Sequence, residues 1–351
     1  MMARENLNPY AQTPRALKLR RLSVYLVIAA ALVWVFHDIK FEKLVDPMRS
    51  INWRWVALAI VLDFMSYVSQ GVRWRLLLRP VGKISVIRSI QAVYVGLFAS
   101  EVLPMRLGEL VRAYLISRWI AADFSAVLPS IAVERLSDGV WLALGTGLLM
   151  IFVPLPHAIM TAGDILGSAV ITGTGVFIYL TLRYRDTPGM TGQQRTSLRK
   201  PVLYIRSLIG QFAEGLRSIG LSRPFFGAFF LSLLFLSFQI LAFWFMMVAY
   251  RLELPFWIGV VVALIIIIGT VIPNAPSNVG SFQFFCVLGL TLFGVDKTVA
   301  AGFSLVSFAL LTIPLLVLGF IALGFSGMTL SGIRKEISRL RNRNNVIVPT
   351  S

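Results

Sequence analysis

Pro104-Met-Arg-Leu-Gly108 and Pro276-Ser-Asn-Val-Gly280 stand at matching places in the two halves of the chain. Each follows a long apolar run, Val93–Leu103 in one half and Val261–Ile272 in the other. Each is followed, about 21 residues after its proline, by the start of a further apolar segment. A helix does not run smoothly through Pro and Gly. Within a bilayer, broken backbone is tolerated only inside protein or against a watery cavity. Paired interruptions of this kind mark the ligand site of membrane proteins built from internal repeats.

Composition sets the surroundings of these breaks. The chain has 351 residues, 57% of them hydrophobic and 14% charged. A soluble domain of that size cannot hide so much apolar surface, so the chain reads as an all-α, polytopic integral membrane protein. No stretch remains that could fold as a soluble catalytic domain of ordinary size. The net charge is +17, from 33 Lys and Arg against 16 Asp and Glu. The basic residues flank apolar segments, which points to topogenic charge and attraction to anionic lipid headgroups, not to nucleic acid. The single cysteine, Cys286, excludes an internal disulfide framework and a multi-cysteine metal site.

Apolar segments fall at 22–38, 53–71, 86–103, 125–154, 164–182, 224–250, 254–272, 279–295 and 297–326. A bilayer core needs about 20 helical residues. The segments around the two breaks are short, so 86–120 and 254–295 read as re-entrant hairpins, leaving about six full spans. Two full spans per hairpin is the alternative. Basic residues cluster in 1–21, after the second span (Arg73, Arg75, Arg79, Lys83, Arg88), in 183–223 and in the tail 327–351. The loop 155–163 has none. The alternation predicts that both termini are cytoplasmic, in a cell inner (plasma) membrane. Lys40, Lys43 and Arg49 are a mild exception. A single transmembrane domain, 22–326, then comprises halves 22–154 and 164–326. Each crosses the membrane an odd number of times, so the halves form an inverted repeat. The part of 183–223 from 201 to 220 reads as an amphipathic helix on the cytoplasmic surface, or as a plain linker.

Ionisable side chains inside spans are costly and commonly functional. Glu101, Arg106, Glu109, Arg112, Glu134, Arg135 and Asp138 cluster in the first half, with Asp63 in the second span. Glu109 and Arg112 are three apart and can pair on a helix, as can Arg135 and Asp138. Glu134 and Asp138 share a face. The cluster reads either as a closed network bracing the hairpin or as a headgroup site. In the second reading arginines hold phosphate, since the planar guanidinium donates two bonds at once. Glu101, Glu134 and Asp138 then carry protons or balance charge. Proton-linked transport would use Glu134 or Asp138 as the carrier, because the carboxylates Glu101, Glu109, Glu134 and Asp138 outnumber Arg106, Arg112 and Arg135. The second hairpin offers Asn274, Ser277, Asn278, Ser281 and Gln283 as uncharged donors, or as groups that satisfy its broken backbone.

Enzyme chemistry has little support. The two histidines, His37 and His157, have no metal-ligand spacing. There is no P-loop, nucleophile elbow or dinucleotide fingerprint. No cofactor and no metal are expected, and the chain is not expected to be an enzyme.

The runs PMRLGELVRAYLISRW (104–119), VERLSDGVWL (133–142) and PNAPSNVGSFQFFCVLGLTLFGV (273–295) resemble the lysylphosphatidylglycerol synthase transmembrane-domain family, also called flippase-like domain proteins. The resemblance covers about residues 20–325. It implies a polytopic domain associated with translocation of lipids or lipid-linked glycans. By motif matching, the family's polar positions fall on Arg106, Gly108, Glu109, Arg112, Glu134, Arg135 and Asp138. Many relatives read Pro-Gly-Gly-Leu-Gly followed by Glu in the second hairpin. Here Pro276-Ser-Asn-Val-Gly280 is followed by Gln283, which resembles the branch linked to hopanoid or polyprenyl-type lipids. In the aminoacyl-lipid synthases the domain is joined to a soluble aminoacyltransferase; no such stretch is read here, and aminoacyl transfer is not carried over. The expectation is a carrier moving a phosphate-bearing phospholipid or polyprenyl/hopanoid-type lipid between leaflets. The alternative is an accessory membrane subunit or integral-membrane enzyme acting on a lipid-linked substrate.

Overall fold

The computed structural model describes residues 50–102, 108–152, 157–183, 219–220, 222–271 and 278–327, and every regular element among them is helical. Helices α1 (Trp53–Leu77), α4 (Phe124–Phe152), α6 (Arg223–Ala249) and α9 (Lys297–Gly324) are long and apolar enough to cross a bilayer. Helix α5 (His157–Arg183) has its apolar part at Gly163–Tyr179. The pairs α2 (Val86–Val102) with α3 (Gly108–Trp119), and α7 (Phe256–Val271) with α8 (Ser281–Thr291), are short. At 1.5 Å per residue α8 reaches about 17 Å and α2 about 26 Å, less than a bilayer core of about 30 Å. The protein is a multi-pass membrane protein in which the order long, short, short, long occurs twice.

The expected span 22–38, nearly all of 183–223 and both basic termini lie outside the described residues. So do the breaks Pro104 and Pro276 and the candidates Arg106, Asn274 and Ser277.

Five expected segments agree with α2, α4, α6, α7 and α9 to within two residues at each end. The second span is a correction. It was expected to end at residue 71, with Arg73 and Arg75 in a basic loop. Instead α1 continues to Leu77, and Arg73 and Trp74 are fully buried within it. The helix stops where Pro80 cannot continue it. Side-chain caps start α6 and α9: Ser222 Oγ accepts from the Phe225 N–H at 3.4 Å, and Asp296 Oδ1 accepts from Thr298 and Val299 at 2.9 and 3.3 Å.

α1 lies along α6 between the two halves, and α2 packs on α9. Two apolar clusters result. The first contains Trp74, Leu77, Val93 and Leu115 and borrows Ala228 of α6 and Leu323 of α9. The second contains Met246, Val262, Val287 and Phe303 and borrows Val56 and Ala59 of α1. Each half therefore completes the other's core. Within the first helix pair, α2 and α3 touch backbone to backbone. A Cβ on Gly108 would overlap the Gly96 carbonyl oxygen and Ser100, so only glycine fits.

Candidate functional site

Asp63, Tyr67, Gln70 and Trp74 are spaced i, i+4, i+7, i+11 on α1, which puts them on one helical face. Glu134, Arg135 and Asp138 occupy adjoining faces of α4, and Glu109 and Arg112 the first two turns of α3. Ser232, Phe235, Gln239 and Phe243 line one stripe of α6. These faces converge.

Glu134 is the hub. Its Oε1 accepts from Gln70 Nε2 at 2.8 Å and from Arg73 Nη2 at 2.9 Å, and its Oε2 accepts from Arg112 Nη2 at 3.0 Å. The side chains of Arg73 and Glu134 are fully buried, and that of Arg112 is 4% exposed. Arg73 also binds Asp138 and donates to Ser232 Oγ at 2.8 Å, joining α1 to α4 and α6. Its guanidinium carbon lies 5.2 Å from the Phe235 ring centre. The Arg112 guanidinium stacks 4.6 Å over Trp74, whose indole N–H donates to Ser130 Oγ at 2.9 Å. Charges so deeply buried require this degree of pairing.

Arg135 differs. Its side chain is 51% exposed, and it bridges Glu109 at 2.5 Å and Asp138 at 3.8 Å. The i,i+3 pairing open to Glu109 and Arg112 within α3 does not form. Their carboxylate and guanidinium turn to different residues of α4, because α3 packs against α4 and offers partners there.

A cavity of about 870 Å³ lies between the halves. The first half lines it with Asp63, Glu101, Glu109, Arg112, Arg135 and Asp138 among apolar residues; the second half contributes no ionisable side chain to it and is mainly apolar there, with Phe243, Ile266, Phe282, Phe308, Leu311 and Leu315. Asn278, in the left-handed backbone region at φ 52°, reaches the cavity. Gln283 does not; it is 2% exposed, and its Oε1 accepts from the Gly280 N–H at 2.7 Å at the start of α8. Gly280, at φ 86°, makes that turn possible.

Of the expected site residues, Glu101, Gly108, Glu109, Arg112, Arg135, Asp138 and Asn278 therefore border one cavity, and Glu134 stands behind its wall. Sequence reasoning missed Arg73 and Gln70. Two signals could have found them: Leu76-Leu77-Leu78 continues the apolar run past Arg73, and Gln70 lies one turn before it. No cluster of three metal-ligating side chains occurs among the described residues.

A family model described as the lysylphosphatidylglycerol synthase TM region matches residues 22–319. A UPF0104 membrane protein of Methanothermobacter thermautotrophicus is 25% identical over 297 residues, 80% of this chain and 85% of the relative. One of Methanocaldococcus jannaschii is 23% identical over 323 residues, 83% of this chain and 90% of the relative. The Haloferax volcanii protein named glycosyltransferase AglD is 26% identical over 153 residues, 43% of this chain and 23% of that protein.

Proposed function

The chain belongs to the lysylphosphatidylglycerol synthase TM-region family, and from that premise we propose that it moves a phosphate-bearing lipid or lipid-linked precursor between bilayer leaflets. The observation that carries this reading is the cavity, which combines the charged side chains of the first half with a mainly apolar lining from the second. A lipid needs both surfaces at once. Ligand sites commonly enclose 300–1,000 Å³, and about 870 Å³ holds a headgroup with the first part of its chains.

Under this reading Arg135 is the arginine best disposed for phosphate, because half its side chain is open. Arg106, Asn274 and Ser277 belong to the same proposed headgroup site, with Arg112, Glu109 and Asn278. Glu134 and Arg73 hold the wall, and Glu101 and Asp138 balance charge within it. Gln283 serves as the α8 cap. The two short pairs are re-entrant hairpins that enter from opposite sides of an inverted repeat, and both termini face the cytoplasm across a cell inner membrane. The alternation of basic and base-poor loops supports that orientation.

A second reading, an integral-membrane enzyme or accessory subunit acting on a lipid-linked substrate, draws on the similarity to a protein named as a glycosyltransferase. Reconstitution separates the two. Liposomes containing the purified chain and fluorescent phosphatidylglycerol or a fluorescent polyprenyl phosphate are treated with a membrane-impermeant quencher. Faster loss of the protected pool than in protein-free liposomes is the expected result. No acceleration with either lipid rejects the transport reading.

A further inference from the structure

We propose that Asp63 and Tyr94 form a binding site for a small monovalent cation, H⁺ or Na⁺, that couples to lipid movement; the coupling, though not the ion site itself, rests on the transport reading above. Asp63 lies in the middle of α1, and its carboxylate has no ion-pair or hydrogen-bond partner among the described residues. A lone carboxylate in the middle of a span is expensive and calls for a countercharge. On the same helix Arg54 stands nine residues back, exposed in the first turn, and Arg73 lies ten residues on, about 15 Å along the axis. It is already taken by Glu134 and Asp138.

A second observation points to the same place. The Tyr94 side chain is 5% exposed, and its hydroxyl has no hydrogen-bond partner. It lines a small cavity of about 20 Å³ together with Asp63, Tyr67 and Pro314. That volume fits one water-sized body. Pro314, which also lines the pocket, sits inside α9 and has no N–H, so the helix is broken beside it. A carboxylate and a buried hydroxyl at a water-sized space, with Ile60, Phe64, Leu311, Leu315 and Leu318 excluding bulk water around them, suit a proton or a dehydrated monovalent cation. Asp63 and Tyr67 border both this pocket and the 870 Å³ cavity, so an ion here contacts the space proposed for lipid.

The titratable and charged neighbours are few. α2 contributes Tyr94 and Glu101, and α1 itself Tyr67, whose hydroxyl bonds Gln239 of α6. α4 contributes Glu134, Arg135 and Asp138, all ion-paired. The ionised side chains of α6 and α9, Arg223 and Lys297, stand at their first residues, far along each helix from this pocket. Nothing on those two helices neutralises Asp63.

The test measures thermal unfolding of the full purified chain, in Na⁺ against choline and across pH. Wild-type, Asp63→Asn and Tyr94→Phe proteins are compared, and each is assayed in fluorescent-phosphatidylglycerol liposomes under imposed Na⁺ or pH gradients. The wild type is expected to be stabilised by Na⁺ or by acid, and Asp63→Asn to lose that dependence. Tyr94→Phe, which loses one hydroxyl, keeps it with the half-maximal ion activity shifted about tenfold or more. Which ion acts identifies the coupling species. A wild type that responds to neither ion, or an unchanged response in Asp63→Asn, overturns the site. If Asp63→Asn fails to fold, an unshifted Tyr94→Phe overturns it instead. An Asp63-dependent ion response without lipid movement leaves the ion site standing and removes the transport reading. Lipid movement with no ion response does the reverse.

Discussion

Arg73 on α1 and Glu134 on α4 meet at 2.9 Å with neither side chain exposed. One link joins two long helices and, through Ser232, a third in the other half of the molecule. The same glutamate holds Arg112 of α3 at 3.0 Å. The polar network is thus a chain of ion pairs in which Glu134 is shared by two guanidiniums and Asp138, on the remaining face of Arg73, supplies the second negative charge.

Removing the hub should therefore hurt folding first. Glu134→Ala leaves two buried arginines short of a counterion, and breaking a buried pair costs about 3–5 kcal/mol. That is a large share of a total stability of about 5–15 kcal/mol. The expected outcome is a several-fold loss of monodisperse protein and a lowered melting midpoint, read by size-exclusion after heating. Glu134→Gln, which keeps the shape, should fall between. An Arg73→Met/Glu134→Leu double variant should melt above Glu134→Ala. Wild-type melting in Glu134→Ala would show that the pair carries no structural weight.

The two arginines that border the cavity should separate cleanly. Arg112 is stacked on Trp74 and nearly buried, so Arg112→Lys should lower the yield of folded protein, because lysine lacks the planar fork. Arg135 is half open, and exposed pairs are worth about 0–1 kcal/mol. Arg135→Lys should melt within a few degrees of wild type yet slow lipid movement, by about tenfold if one phosphate bond is lost. Full transport by a well-folded Arg135→Ala protein would exclude it from headgroup binding.

Much of this was legible because period and breakers are local signals. Apolar runs bounded by Pro and Gly placed five helices to within two residues. The acidic and basic residues of α3 and α4 were recognised as one cluster because they interrupt those runs. Partner choice was not legible. Glu109 could reach Arg112 on its own helix, but tertiary packing set Arg135 opposite it. Arg73 was mistaken for a loop charge because a basic residue near a span end ordinarily marks the membrane surface. Its carboxylate partners lie more than 60 residues away in the chain, and only the fold brings them together. Gln283 matched a motif position, but a one-residue choice of rotamer turns it onto the α8 amino terminus, away from the cavity.

The crossing of α2 and α3 gives a steric test. A methyl group on Gly108 would overlap the Gly96 oxygen, and neither backbone can yield without moving a helix. Gly108→Ala should cost about 1–3 kcal/mol as an overpacked contact and open the cavity wall. Gly167→Ala is the control, since a Cβ there meets nothing within 4 Å and alanine favours helix. It should melt at or slightly above the wild-type midpoint. Equal behaviour of the two variants in thermal unfolding would contradict the close approach.

Orientation of the two hairpins is the remaining test, and accessibility reads it directly. Ser100, near the end of α2, and Asn278, just before α8, both border the cavity from short helix pairs of opposite halves. An inverted repeat makes these two positions approach the midplane from opposite faces. Single cysteines at each, in a Cys286→Ala background, are exposed to a membrane-impermeant thiol reagent in sealed vesicles of known sidedness. Cys286 is fully buried, so its removal costs packing but exposes no native thiol of its own. The expected result is labelling of position 100 from the cytoplasmic side and of position 278 from the opposite side. Labelling of both from one side would reject the inverted arrangement and require each short pair to be read with the same hand.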